Sequence, residues 1–356
     1  MNRNKGKTHF AMLVGMACMA GMAAGSANAA GDSAQSTEGG FKCDKVSIGY
    51  QVIPNSGPIV RHFGWMKKAL PGVDVQFHEF NQGADLARAM ASGDVDFGLS
   101  GSVGVASGIS TGVDNVVVWL FDVIGKSEAL VVKKDAGINS LEDLVGKRVG
   151  TPFGATTQYA LVSALKVHNI DPNSVQIMDI QNPDAVAAWS RGELVADYTW
   201  QPTQSKLIEM GGKVLVNSEQ LAQKYGIATA DVGMARREYA DTCPKIVTAW
   251  VQQQIRAVKF YRDKPKEAAE AVAAEFSLPA DEIADQMSQY IWLDGKQQLS
   301  QKWLGAPDKK GHMAEVLAST AQFLQDQQLI SKAASQEEFA KRIRSEFVQM
   351  AVDSAK

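Results

Sequence analysis

Polar and apolar residues alternate through Lys45-Val46-Ser47-Ile48-Gly49-Tyr50, the period of a strand with one buried face, and the turn residues Pro54-Asn55-Ser56-Gly57-Pro58 follow it. Val60 to Leu70 reads as helix and stops at Pro71-Gly72, and Val73 to Phe77 is a second alternating strand. Asp85 to Ala91 predicts a short helix closed by Ser92-Gly93. Val95 to Leu99 is then a buried strand that runs into Ser100-Gly101-Ser102, where another helix opens. More apolar strands are expected at Val116 to Phe121 and at Ala129 to Val132.

From Ser140 the pattern repeats. Ser140 to Leu144 begins as a capping box and ends at Gly146, and Lys147 to Gly150 is the next strand. A helix is expected from Thr156 to about His168, a strand at Val175 to Ile180, and a helix at Ala185 to Ser190. Asp197 to Trp200 ends a strand before Gln201-Pro202. Strands alternating with helices at this spacing imply α/β sheets, mostly parallel, flanked by helices. The stretches "ARAMASGDVDFGLSG" (87–101) and "AAWSRGELVADYTWQ" (187–201) echo each other as helix, Gly-acid turn, strand and polar strand end. That echo suits two similar lobes in one chain. After Asp231 the pattern turns helical. Asp241 to Pro244 starts a helix with an apolar face at Val247, Trp250, Val251, Ile255 and Val258, and Ser335 to Glu338 caps a last helix striped by Phe339, Ile343 and Phe347.

The N-terminus changes the composition of the working protein. Arg3, Lys5 and Lys7 precede an apolar run from Phe10 to Ala24 and an A-x-A site at Ala27-Asn28-Ala29, the layout of an export signal. The run is shorter than the roughly 20 residues a membrane span needs. Gly15-Met16-Ala17-Cys18 lacks the Leu usual three places before a lipidated Cys, so cleavage after Ala29 is expected rather than a lipid anchor. Cleavage takes the chain from 356 to 327 residues and the charge from −3 to −6, because residues 1–29 hold three basic residues and no acidic one. Residues 30–41 read as a flexible leader. An acidic balance without a basic stripe argues against nucleic acid as a partner. Of three cysteines, Cys43 and Cys243 remain in an oxidising compartment, either bridged or as two buried thiols.

Catalytic and metal signals are weak. His62, His78, His168 and His312 are isolated from one another and from Cys, which leaves a metal site without support, and no phosphate-binding Gly loop occurs. "GLSGS" (98–102) imitates a nucleophile elbow but lacks its G-x-S-x-G order, and no base is visible to serve Ser100 or Ser102. No cofactor is expected. A different chemistry is available at Gly101-Ser102 and at Thr156-Thr157, where small and hydroxyl residues open helices. Free N–H groups and the helix dipole favour an anion there, such as a sulfonate. Candidates for the opposite end of a ligand are Asp231, Glu128, Asp122, Tyr50, Gln51 and Trp200. Asp231 would otherwise be a cap or pair with Arg236 or Arg237.

Several segments together resemble the substrate-binding proteins of taurine and alkanesulfonate ABC importers, within the wider nitrate/sulfonate binding family. They include "IGYQ" (48–51), "ARAMASGDVDFGLSGS" (87–102), "GKSEALVVKK" (125–134), "SLEDLVGKRVGTPFGATTQYALVSALK" (140–166), "AAWSRGELVADYTWQP" (187–202), "KVLVNSEQ" (213–220) and "TADV" (229–232). The resemblance spans about residues 45–330. It implies a type II periplasmic binding protein with two lobes, two hinge crossings near 125–127 and 225–231, and ligand in the cleft. Lobe 1 would be residues 42–125 plus 228–330, lobe 2 residues 126–227, and residues 331–356 a C-terminal helix. It further implies Asp231 and Glu128 at an amine and Gly101, Ser102, Thr156 and Thr157 near a sulfonate. The expected partners are an ABC permease with its cytosolic ATPase, with the binding protein itself a monomer. The chain departs from the taurine-binder pattern at "VIPNSGPIVRHFGWMKK" (52–68), at the extra acid Asp122, and at Gly233, where a large aromatic is more usual. These departures are expected to enlarge the pocket or admit a more cationic ligand.

Overall fold

The computed structural model describes residues 43–81 and 83–354. The expected export signal, cleavage site and leader, and Cys18, lie outside the described residues. One five-stranded sheet contains β1 (Lys45–Tyr50), β2 (Asp74–Glu79), β3 (Phe97–Gly101), β4 (Asn115–Val123) and β10 (Ala230–Arg236), in the order β2-β1-β3-β10-β4. A second contains β5 (Glu128–Lys133), β6 (Arg148–Thr151), β7 (Gln176–Asp179), β8 (Ala196–Trp200) and β9 (Gly212–Asn217), in the order β7-β6-β8-β5-β9.

The two sheets share one topology. Three strands pair in parallel on one side of each, β2-β1-β3 and β7-β6-β8. A strand from elsewhere in the chain then inserts antiparallel to both its neighbours, β10 between β3 and β4 and β5 between β8 and β9. Each sheet is therefore mixed, parallel only on the side that the βαβ pattern predicts. The echoing stretches 87–101 and 187–201 occupy equivalent places. Each closes a helix (Gly83–Ser92, Asn182–Ser190) and enters β3 or β8. The turn between them is made by Gly93 (φ 86°) or Gly192 (φ 74°), a backbone conformation that strains any residue with a Cβ. The chain crosses to the second sheet between Val123 and Glu128 and returns between Asn217 and Ala230.

The largest apolar cluster covers the first sheet and is closed by the C-terminal helices. Trp250, on the helix Pro244–Asp263, stacks on Phe97 at 4.8 Å between ring centres and meets Phe121 edge-on. Val247, Val251 and Val258 of the same stripe are buried and Ile255 is partly so. Pro244 occupies the first turn of that helix, where its missing N–H costs no hydrogen bond. Cys243, just before it, is bonded to Cys43 with Cα atoms 5.7 Å apart, closing a separation of 200 residues. On the loop-entropy account such a closure disfavours the unfolded chain by roughly 5 kcal/mol.

Local expectations change in three places. The helix read from Val60 begins earlier, at Ser56, because Asn55 caps it through Gly57 N, and it breaks at the left-handed Gly64 into Ser56–His62 and Trp65–Ala69. Ser140 to Leu144 forms only a 3-10 turn at Glu142–Leu144, since Asp143 spends its carboxylate on the N–H groups of Asn139 and Ser140. The last helix is two, Gln336–Arg342 and Glu346–Asp353. Between them Ile343 is extended and bridges Val117, while Arg344 N donates to Val117 O, so the chain covers the exposed edge of β4. The Ser335–Glu338 capping box is present.

Candidate functional site

The parallel strands of both sheets end at one small cavity. Open α/β sheets gather ligands at these carboxyl ends. Gln51 follows β1, Gly101 ends β3, Pro152 to Ala155 follow β6, and Trp200 ends β8; all line the cavity. The antiparallel insertions supply what the parallel strands lack. β10 begins at Ala230-Asp231, β4 ends beside Asp122, and β5 begins at Glu128, so carboxylates from three strands converge.

One end of the cavity is built for negative charge. The helices Ser102–Ser110 and Thr156–Val167 start there, and neither of their preceding residues, Gly101 and Ala155, gives the first turn a side-chain cap. Their first N–H groups and dipoles favour an anion. Gly101 and Thr156 meet across the two sheets. A Cβ on Gly101 would stand 2.8 Å from Thr156 Cγ2, so glycine is required for this approach. The Ser100 hydroxyl, buried and lining the same cavity, has no hydrogen-bond partner among the described residues.

The other end is acidic. Asp122, Glu128 and Asp231 are all buried. Burial raises Glu128 to about 8, and the nearby Asp231 adds to the rise against hydrogen bonds from Thr156 and Ser218. Thr156 donates its hydroxyl to Glu128 Oε1, and Ser218 Oγ lies 3.4 Å from Oε2. Burial likewise raises Asp231 to about 7. Asp122 is pushed well above the carboxylate range by burial first and the Asp231 charge second, while Asn55 Nδ2 at 3.4 Å opposes the shift. Tyr290 closes this end, its hydroxyl held neutral by burial and the surrounding acids. No Lys, Arg or His is among the described residues that line the cavity.

Gln51, Gly101, Glu128, Thr156, Trp200 and Asp231 therefore meet in one place. Asp122 sits behind Asp231, its register partner on the neighbouring strand. Ser102 and Thr157 are buried at the helix starts rather than on the cavity wall, and Thr157 accepts the Thr151 hydroxyl at 2.8 Å. Tyr50 lies elsewhere. Successive strand residues face opposite ways, and Tyr50 turns from Gln51 to lie under the Arg61 guanidinium at 3.8 Å, with its hydroxyl on Glu79. Arg236 and Arg237, the alternatives for Asp231, pair instead with Asp96 and Asp114, each at 2.9 Å. Gly233 does not enlarge the pocket. It faces the core, where a Cβ would meet Trp119 at 3.0 Å and Phe121 and Trp250 at 3.2 Å.

Sequence reasoning missed Tyr290, Phe153 and the close pair Gly83 and Gly104, where a Cβ would fall 2.2 and 2.4 Å from Ser100 Oγ. Tyr290 carries no local signal. The backbone bonds between Val123 and Ile291, 3.0 and 3.1 Å, bring it to the site from a helical region far along the chain.

Two α/β units of one topology, with a polar cavity where their strands end, define a two-lobed ligand-binding fold. The chain belongs to the NMT1/THI5-like family, whose pattern matches residues 61–268. It is 34% identical over 310 residues to the taurine-binding periplasmic protein of Escherichia coli K12, covering 85% of this chain and 92% of that one. Its fold is similar to that of the periplasmic aliphatic sulphonate binding protein SsuA from Escherichia coli, with a TM-score of 0.69 at 21% identity over 84% of this chain and 92% of that one. It is also similar to the alkanesulfonate-binding protein SsuA from Xanthomonas axonopodis pv. citri bound to MOPS, with a TM-score of 0.70 at 19% identity over 84% and 98%.

Proposed function

We propose that this protein is the exported solute-binding component of an ABC importer and that it captures taurine, or a closely related small amino-sulfonate, for a membrane permease driven by a cytosolic ATPase. The observation that carries the reading is the paired polarity of the cavity: two helix N-termini and the buried carboxyl groups of Glu128 and Asp231, with no Lys, Arg or His among the described residues that line it. A buried carboxylate needs a cation or hydrogen bonds, and an ammonium supplies both. The sulfonate would accept from the first-turn N–H groups and Ser100, the ammonium would donate to Asp231 and Glu128, and Trp200 would cover the methylenes. Closure would exclude water and strengthen both charged contacts. The hinge would lie in the crossings 124–127 and 218–229.

Binding rather than catalysis is favoured by the serines. Ser100 and Ser102 are buried, and their hydroxyls meet no base among the described residues. No helix among the described residues is long and apolar enough to cross a membrane. Asp231→Ala tests the assignment. It is expected to weaken taurine by about a hundredfold and an amine-free alkanesulfonate by less than about threefold, the loss of a desolvated charge contact. Equal losses for both ligands, measured by calorimetry, would make Asp231 structural and defeat the proposal.

A further inference from the structure

Asp122 is the acid that the taurine-binder pattern does not account for, and it does not line the cavity. It is wholly buried on β4, directly across from Asp231 on β10, so two buried carboxyl groups stand as register neighbours in one sheet. Two ionised carboxylates repel at such a distance; they attract only with a proton between them. The surroundings offer no alternative charge. Glu128 faces the pair from β5 and Tyr290 from the segment after the helix Ala280–Ser288, one a third acid and the other a neutral phenol. Asn55, at the start of the helix Ser56–His62, contributes a neutral amide to Asp122 Oδ2. Asp122 Oδ1 meets no donor among the described residues.

We infer that Asp122 and Asp231 hold one proton between them in the empty site, and that an incoming ammonium displaces it. The inference rests on the amino-sulfonate reading. In the step, one carboxyl O–H bond breaks and its proton passes to solvent; N–H···O contacts from the ligand to Asp231 replace it. One positive charge leaves as one enters, so the buried cluster never carries an additional unpaired charge. Asp122 is then a positioning residue: it touches no ligand and sets the charge Asp231 presents. Selection follows, because a ligand without a cationic group cannot displace the proton.

The test is calorimetric titration of taurine at about pH 7 in two buffers of different ionisation enthalpy, on the wild type and Asp122→Asn. The wild type is expected to release at least one proton per taurine. Asp122→Asn, whose amide donates to Asp231 permanently, is expected to release about one proton fewer than the wild type. Wild-type affinity alone gives a second readout that needs no variant. It should tighten as pH rises from about 6 to about 7, by up to about tenfold per pH unit for each proton released. Binding heat with no buffer dependence, an Asp122→Asn variant that releases as many protons as wild type, or a flat affinity across that range would overturn the inference. Absence of any taurine binding would instead defeat the reading on which it rests.

Discussion

At the scale of single residues, the protein is organised around carboxyl groups that burial keeps from ionising. Asp197 shows this away from the cavity: both its oxygens are buried without a partner among the described residues, it stands against the bare Cα of Gly150, and burial raises it to about 7. An unfolded Asp titrates near 4, so the folded protein binds the proton more tightly. The stability this confers is complete below about pH 4 and is lost as pH rises through about 7. Asp231 and Glu128, at about 7 and 8, act in the same direction. The ligand-free protein should therefore melt at falling temperature from about pH 5 to pH 8. Asp197→Asn, neutral throughout, should gain on the wild type across that range with unchanged taurine affinity. A variant whose melting curve parallels the wild type at every pH would contradict this. Asp231 stood out in the sequence as an acid in a small, apolar stretch, whereas Glu128, beside Lys126 and Ser127, was pointed to by the family resemblance. Tyr50 misled because one register step on a strand reverses the face, and the step cannot be counted without the partner strand.

At the scale of elements, the site depends on helices that begin where strands end. The paired signals Gly101-Ser102 and Thr156-Thr157 were readable as helix starts, and the echo of 87–101 in 187–201 placed β3 and β8 at equivalent points. Partners distant in sequence were not readable. The last helix breaks at Ile343 because Val117 takes it as an edge partner, and no periodicity reports that competition. The contact of Gly101 with Thr156 leads to a sharp expectation. Gly101→Ala should drive a methyl into Thr156 Cγ2, hold the two helix starts apart and weaken taurine about tenfold, the cost of mild overpacking. Thr156→Ser in the same chain removes that methyl and should restore most of the affinity. Wild-type affinity in Gly101→Ala, measured by calorimetry, would show that the two helix starts do not meet in the bound state.

At the scale of the whole molecule, two sheets share the chain discontinuously, so β10 places Asp231 in the first sheet after the chain has built the second. The crossings are braced by a third segment: Lys126 N donates to Gln289 O at 3.0 Å, Gln201 Nε2 to Gln289 Oε1 at 3.0 Å, and Ile291 pairs with Val123. Outside the cavity Tyr159 meets Phe323 edge-on at 4.9 Å, and Val162 joins the apolar cluster of the first sheet. These contacts join the two sheets beside the cavity, and a ligand that binds this arrangement would stabilise it by mass action. The central claim is that one molecule must satisfy both ends at once. Calorimetric titration of taurine beside its two halves, ethanesulfonate and ethylamine, with glycine betaine and a short diamine as outsiders, tests it most directly. Taurine is predicted to bind at least about a hundredfold more tightly than any of the others, because each half and the diamine leave one charged end unmatched and the betaine's quaternary nitrogen has no N–H to donate. A half, the betaine or the diamine binding as tightly as taurine would contradict the account.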